Sequence, residues 1–319
     1  LNYILPYQTY RFVIVAQEEL LLPYYKGSTI RGGFGNAFRR VVCTLRNKEC
    51  RDCILNSRCI YAYIFETAPQ EGASIMGMNK YENIPHPFVI EPPSEGQRIY
   101  KSWEQVSFGL VLIGRANDYL PYFIYTFDEL GKIGIGKRRG KYTLLSVKKA
   151  DGGGALVYSS DDRTIRSIPP DEIIIPAESH AGGEKSTLLT LKFLSPTRIS
   201  YQRQLTTDLK FEILTKNIVR RFNLLRFFHW DGKSAPLEHR EIIAEAERVA
   251  VKENSLRWWD WERYSSRQHT RMKMGGFVGE ITYEGNIEPF IPLLRAGEVL
   301  HVGKGTSFGL GKYKIEHNI

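Results

Sequence analysis

A chain of 319 residues with 42% hydrophobic and 12% aromatic content can bury one large core or two ordinary ones, which excludes disorder as its resting state. Lys and Arg total 44 against 35 for Asp and Glu, a formal net charge of +9 that favours a polyanionic partner. No run approaches about eighteen uninterrupted apolar residues, and Leu1-Asn2-Tyr3-Ile4-Leu5-Pro6 lacks the regions of a signal peptide, so the expected setting is the reducing cytoplasm, with no membrane partner.

The first strand is an alternating apolar segment, Tyr10–Val15. A helix over Ser28–Val42, with Ser28 as N-cap, follows Tyr24-Tyr25-Lys26 and carries Arg31-Gly32-Gly33-Phe34-Gly35-Asn36-Ala37-Phe38-Arg39-Arg40. All four cysteines come next, within seventeen residues, as Cys43-x6-Cys50-x2-Cys53-x5-Cys59. Four thiolates at this spacing suit a closed structural zinc site, with Lys48, Arg51 and Arg58 offsetting its charge. An iron–sulfur cluster uses the same ligands, and unmetallated thiols or disulfides are the remaining readings.

Residues 106–147 then introduce a pattern that returns at 277–317. The first copy runs from Phe108-Gly109-Leu110 through Pro121-Tyr122-Phe123-Ile124 to Gly134-Ile135-Gly136-Lys137-Arg138-Arg139-Gly140-Lys141-Tyr142. The second runs from Phe277-Val278-Gly279 through Pro289-Phe290-Ile291 to Gly303-Lys304-Gly305-Thr306-Ser307-Phe308-Gly309-Leu310-Gly311-Lys312-Tyr313. Both contain Gly-x-Gly-x-x-x-Gly, and each copy is preceded by a strand and a helix, the second pair being Thr187–Phe193 and Leu209–Phe228. A β-α-β-β-α-β order repeated twice predicts an α+β chain of two tandem ferredoxin-like (RRM-like) domains. Their expected limits are 1–150, with the cysteine insertion at 43–59, and 185–319, joined by a hairpin extension and linker at 151–184. Glu238–Arg257, rich in Glu, Ala and Arg, predicts an added surface helix.

The short basic clusters Arg39-Arg40, Lys137-Arg138-Arg139, Lys148-Lys149 and Arg220-Arg221 are separated by apolar elements, as a folded basic face requires. In the last glycine loop, backbone freedom, Lys304, Lys312 and the hydroxyls of Thr306 and Ser307 match the needs of phosphate contact. The dinucleotide fingerprint, the P-loop and the zinc-protease and serine-hydrolase motifs are absent from the sequence.

The segment from Gly275-Gly276-Phe277-Val278-Gly279 through Tyr283-Glu284-Gly285 to Gly303–Tyr313 resembles the C-terminal signature of the CRISPR repeat-processing endoribonucleases, members of the RAMP superfamily. The block Arg31–Arg40, followed by the cysteines and Tyr61-Ala62-Tyr63-Ile64-Phe65-Glu66, adds an N-terminal match. The resemblance implies binding of CRISPR repeat RNA and its cleavage in antiviral crRNA processing, by metal-independent attack of a ribose 2′-OH that leaves a 2′,3′-cyclic phosphate. It implies RNA contacts at Arg31, Arg39, Arg40, Lys137, Arg138, Arg139, Lys304, Thr306, Ser307 and Lys312. In that family a histidine often stands where this chain has Asn36, which cannot carry a proton at neutral pH. Asn36, expected on one side of the helix with Arg31, Arg39 and Arg40, is then left to orient the phosphate, and Tyr25 and His180 are the substitute bases. The same substitution opens the other reading, a non-catalytic RAMP subunit that holds CRISPR RNA beside other proteins of an interference complex.

Overall fold

The computed structural model describes residues 2–316 except 46–47, 68–83, 94–95, 152, 178–185, 233–234, 239 and 266–269. Two compact units divide it: an N-terminal unit of residues 6–171 with 228–230, and a C-terminal unit of residues 1–5, 172–227 and 231–319.

In the N-terminal unit, β1 (Asn2–Ala16) leads to α1 (Gly27–Val42), β2 (Phe88–Glu91), β3 (Gln105–Ile113), α2 (Leu120–Ile133) and β4 (Tyr142–Lys149), with β5 (Leu156–Ser159) added at the edge. The sheet order β2-β3-β1-β4-β5 is antiparallel throughout, which is the ferredoxin-like arrangement plus one strand. Helix packing follows from spacing: Ile30, Phe34, Ala37 and Phe38 recur at helical period on α1 and are all buried. Phe34 stacks on Phe123 and Phe127 of α2 at 4.9 and 4.7 Å, and Phe127 meets Phe12 and Phe108 of the sheet. The predicted N-cap is displaced. Lys26, fully buried, takes that position with no side-chain cap, because burial of Tyr25 and Lys26 sets where the helix starts.

The C-terminal unit repeats the plan with β6 (Thr187–Thr197), α3 (Phe211–His229), the short α4 (Arg240–Ala246), β7 (Ala250–Asn254), β8 (Arg257–Trp259), β9 (Gly276–Gly285), α5 (Ile291–Leu300) and β10 (Tyr313–Glu316). Its sheet order, β7-β9-β6-β10, is the N-terminal order again, with β8 also on β9. Phe211, Tyr283 and Phe290 form edge-on aromatic contacts, and Phe193 packs on Phe277 and Tyr313.

The helix predicted over Glu238–Arg257 is corrected here. Among the described residues only 240–246 is helical, while 250–254 forms the edge strand β7 and Arg257 opens β8, both paired to β9. Every residue of β7 is exposed, so its charged side chains stay in water while the ladder satisfies its backbone, and pairing overrides helix propensity.

Candidate nucleic-acid interface

On α1 the solvent-facing candidates are Asn36 and Arg40, both exposed and one turn apart. Arg31 is five positions from Asn36, about 140° around the helix, and turns away from it. Its Nη2 lies 3.2 Å from His86 Nε2, and its guanidinium sits 5.0 Å over the Phe65 ring. Arg39 donates from Nη2 to the Lys48 carbonyl at 3.1 Å and lies 5.8 Å over Tyr61, so it ties down the loop that leaves the helix. Arg39 and Arg40 thus lie within about 60° of Asn36 around the helix and Arg31 does not, and of the two Arg40 is the exposed one.

Tyr25 is also corrected. Its side chain is buried, and burial, then the charge of Glu91, pushes the phenol far above its ordinary value of 10. A phenol that holds its proton so firmly does not suit a base at neutral pH. His180 lies outside the described residues. His229 is 2% exposed, with its ring edge-on to Tyr63 and Nε2 2.8 Å from the Pro85 carbonyl, which makes it a packing residue of the N-terminal unit.

The N-terminal glycine loop presents its charge. Lys137, Arg138 and Arg139 are all exposed, Arg138 paired with Glu19 at 2.8 Å. The loop is held by its backbone: Lys137 N–H donates to the Leu21 carbonyl at 3.0 Å, and a Cβ at Gly136 would stand 2.4 Å from that same oxygen.

The C-terminal loop turns much of its chemistry inward. Gly303, Gly305, Gly309 and Gly311 have φ between 78° and 84°, and a Cβ at Gly311 would meet the Val302 carbonyl oxygen at 1.8 Å. The close approach of Gly303 and Gly311 is to the chain's own backbone, and that of Gly305 is to the Leu310 side chain. Thr306 and Ser307 are 6% and 5% exposed, so most of each side chain is packed within the unit. His301 is fully buried with Nδ1 3.0 Å from the Leu310 carbonyl. Lys304 remains exposed, while Lys312 is half-buried with its backbone N–H on Ser195 Oγ at 2.9 Å.

One member of each of two other basic clusters is spent internally, while Lys148 and Arg220 stay exposed. Arg221 is buried and donates from Nε to the Leu300 carbonyl at 2.7 Å, capping the end of α5; burial alone pulls its pKa down to about 9. Lys149 binds Asp171 at 2.7 Å and Asp151 at 3.3 Å.

Cys43, Cys50, Cys53 and Cys59 are half-buried free thiols. Among the described residues no three His, Cys, Asp or Glu side chains come together as a metal-holding group, so neither the zinc nor the iron–sulfur expectation finds a gathered ligand set. Tight turns organise the loop instead, with Cys53 N–H on the Cys50 carbonyl at 3.3 Å and Cys59 N–H on that of Asn56 at 3.2 Å. Burial and then Glu66 push the Cys50 thiol up, with Arg39 opposing. Among the described residues no helix is long and apolar enough to cross a membrane.

A family model described as an N-terminal domain matches residues 5–170, and one described as CRISPR-associated endoribonuclease Cas6 matches residues 191–313. An uncharacterized protein of Archaeoglobus fulgidus is 26% identical over 298 residues, which is 92% of each chain. Among solved structures, Thermus thermophilus Cas6 superposes with a TM-score of 0.52 at 16% identity, over 98% of this chain and 99% of that one. A Cas6 product complex gives 0.56 at 16% identity, over 97% and 100%. A partial Cas6-RT-Cas1–Cas2 complex gives 0.58 at 14% identity, over 99% of this chain and 46% of the other. At such identities the structural likeness concerns the fold.

Proposed function

We propose that the chain, whose residues 191–313 match the Cas6 model, is a CRISPR repeat-processing endoribonuclease of the RAMP class that binds the repeat RNA of a CRISPR precursor transcript and cleaves it. The observation that carries this reading is the Cas6 match over 191–313 on a twice-repeated ferredoxin-like fold. In the proposed chemistry the ribose 2′-OH attacks the adjacent phosphorus and expels the 5′-oxygen, giving a 2′,3′-cyclic phosphate. The nucleophile is already held next to its target, so the protein supplies in-line geometry, proton transfer and a cation for the phosphorane charge, without a catalytic metal.

Arg40 and Asn36, exposed on one face of α1, suit two of these roles: the guanidinium stabilises the phosphorane oxygens and the amide orients the phosphate. Neither moves a proton at neutral pH, so water takes the proton of the 2′-OH and supplies one to the leaving 5′-oxygen, and cleavage is slow. Lys137, Arg139 and Lys304 hold flanking phosphates. Proteins of the same defence system are proposed partners, on the precedent of the Cas6-RT-Cas1–Cas2 assembly.

Incubation of excess protein with its genomic repeat RNA in EDTA tests the nuclease reading; the expected product is a single cut ending in a cyclic phosphate. Asn36→His should raise the rate by about 10²- to 10⁴-fold, the usual contribution of a positioned acid–base group. Asn36 also supports a second reading, a RAMP subunit that binds CRISPR RNA without cutting it. Tight repeat binding with no product, even at high protein excess, decides for that one.

A further inference from the structure

We infer that Trp103 is a stacking platform for an unpaired RNA base, flanked by phosphate-binding cations from two neighbouring loops; this rests on the RNA-binding reading above. The indole is 81% exposed, and the backbone beneath it has φ +74°, a left-handed conformation that a bulky L-residue seldom adopts. Neither feature helps the fold, yet the turn is firmly built. Trp103 N–H donates to the Ala16 carbonyl at 2.7 Å, and Ser102 Oγ donates to that of Gln17 at 2.8 Å. Glu104 N–H closes the turn on the Lys101 carbonyl at 3.1 Å, and the Glu104 carboxylate accepts from Lys101 N–H at 2.9 Å. An outward-facing aromatic is held in a strained conformation by hydrogen bonds on either side of it, and strain of this kind collects where a ligand is met.

Its surroundings decide which ligand. The turn sits at the end of the sheet where β1 finishes and β3 and β4 begin, with Val15 opposite Gln105 and Ala16 opposite Tyr142. There Gln17 N–H donates to the Lys141 carbonyl at 2.9 Å, so the stretch that carries Trp103 also carries the N-terminal glycine loop. Arg138 and Lys141 are paired with Glu19 and Glu18. Lys101, Lys137 and Arg139 are exposed and, among the described residues, have no carboxylate partner. Lysine is depleted at protein–protein contacts, whereas an exposed aromatic beside unpaired cations is how single-stranded nucleic acid is held: rings take the bases and cations take the phosphates.

The test is binding of fluorescently labelled genomic repeat RNA, read by polarization across a salt series. Trp103→Ala should weaken binding about 5- to 150-fold, the range for losing one stacked base, with an unchanged salt slope because stacking releases no counterions. Trp103→Phe should recover most of the loss, and a fully paired duplex of the repeat should bind both variants as it binds the native chain. With 2-aminopurine placed singly along the RNA, one unpaired position should be quenched by the native protein and not by Trp103→Ala. Trp103→Gly, which tolerates the left-handed backbone, should keep or raise Tm; a fall in Tm would make the residue structural and overturn the proposal. Native protein that binds the repeat and a Trp103→Ala variant that binds it equally well would overturn the platform alone. Native protein that binds no repeat RNA would remove the RNA reading itself, and the platform with it.

Discussion

The two glycine loops come from one duplicated pattern and have been put to different uses. Each follows the last α-helix of its unit, each contains Gly-x-Gly-x-x-x-Gly, and each ends in Gly-Lys-Tyr, whose tyrosine opens the next strand. In both the glycines serve the scaffold, because a Cβ at Gly134 would stand 1.9 Å from the Arg139 carbonyl oxygen and one at Gly311 would stand 1.8 Å from that of Val302. The charge differs. The N-terminal loop exposes Lys137, Arg138 and Arg139, while the C-terminal loop exposes Lys304 and buries Thr306, Ser307 and the preceding His301. Turn geometry and ligand chemistry thus vary independently, and a glycine-rich loop is evidence of tight backbone packing before it is evidence of a phosphate site.

The shared scaffold is the easiest part of the comparison to break. Gly134→Ala and Gly311→Ala both place a methyl group against a carbonyl oxygen at positive φ, 89° and 78° respectively, and each should cost on the order of 3 kcal/mol or more. Urea denaturation followed by circular dichroism measures this, the first variant reporting on the N-terminal unit and the second on the C-terminal unit. A loss below about 0.5 kcal/mol in either would mean that its loop relaxes freely and that the two are not equivalent scaffolds.

A smaller effect separates the loops by charge. Lys137→Ala with Arg139→Ala should lower the salt slope of repeat-RNA binding by about 1.4, roughly 0.7 for each lost phosphate contact, and Lys304→Ala by at most about 0.7. Neither change should alter Tm, since these side chains are exposed. An equal or larger change at Lys304 would reverse the ranking and return the C-terminal loop to first place.

Which parts of this were readable in advance follows from how far each signal travels along the chain. Duplication is local and periodic, so strand, helix, loop and strand could be placed twice, and the sheet orders of both units agree with that plan. Burial depends on neighbours remote in sequence. Thr306 and Ser307 match a phosphate loop by type, but the C-terminal unit packs around most of each side chain. Tyr25 stands beside Lys26 and before the arginine-rich helix, as a catalytic tyrosine would, yet it is buried in the N-terminal unit, where the charge of Glu91 adds to the effect of burial. Trp103 was hidden for the opposite reason. A tryptophan between Ser102 and Glu104 looks like a core residue reached through a polar turn, and only the fold shows it facing water. Along 250–254 the composition favours a helix and the partner strand decides for an edge strand.

The smallest predicted effect concerns the tyrosines that end the two loops. Tyr142 donates its hydroxyl to the Phe127 carbonyl at 2.8 Å, and Tyr313 donates to that of Leu294, so each ties the last strand back to the helix before its loop. Replacing either by Phe leaves a buried carbonyl one donor short and should cost about 1–2 kcal/mol at neutral pH. Burial pushes both phenols well above 10, so in strong alkali the folded chain keeps protons that the unfolded chain releases near pH 10. With more protons bound in the native state, each tyrosine's contribution is complete below pH 10 and is lost above it by about 1.4 kcal/mol per pH unit until the folded pKa is reached. Stability measured by urea titration from pH 9 to 11 should therefore fall less steeply in Tyr142→Phe and in Tyr313→Phe than in the native chain, and by the same amount in both. Curves that stay parallel to the native one in one variant and flatten in the other would show that only one of the two loops is closed by a sealed tyrosine, and the likeness of the loops would then end at their glycines.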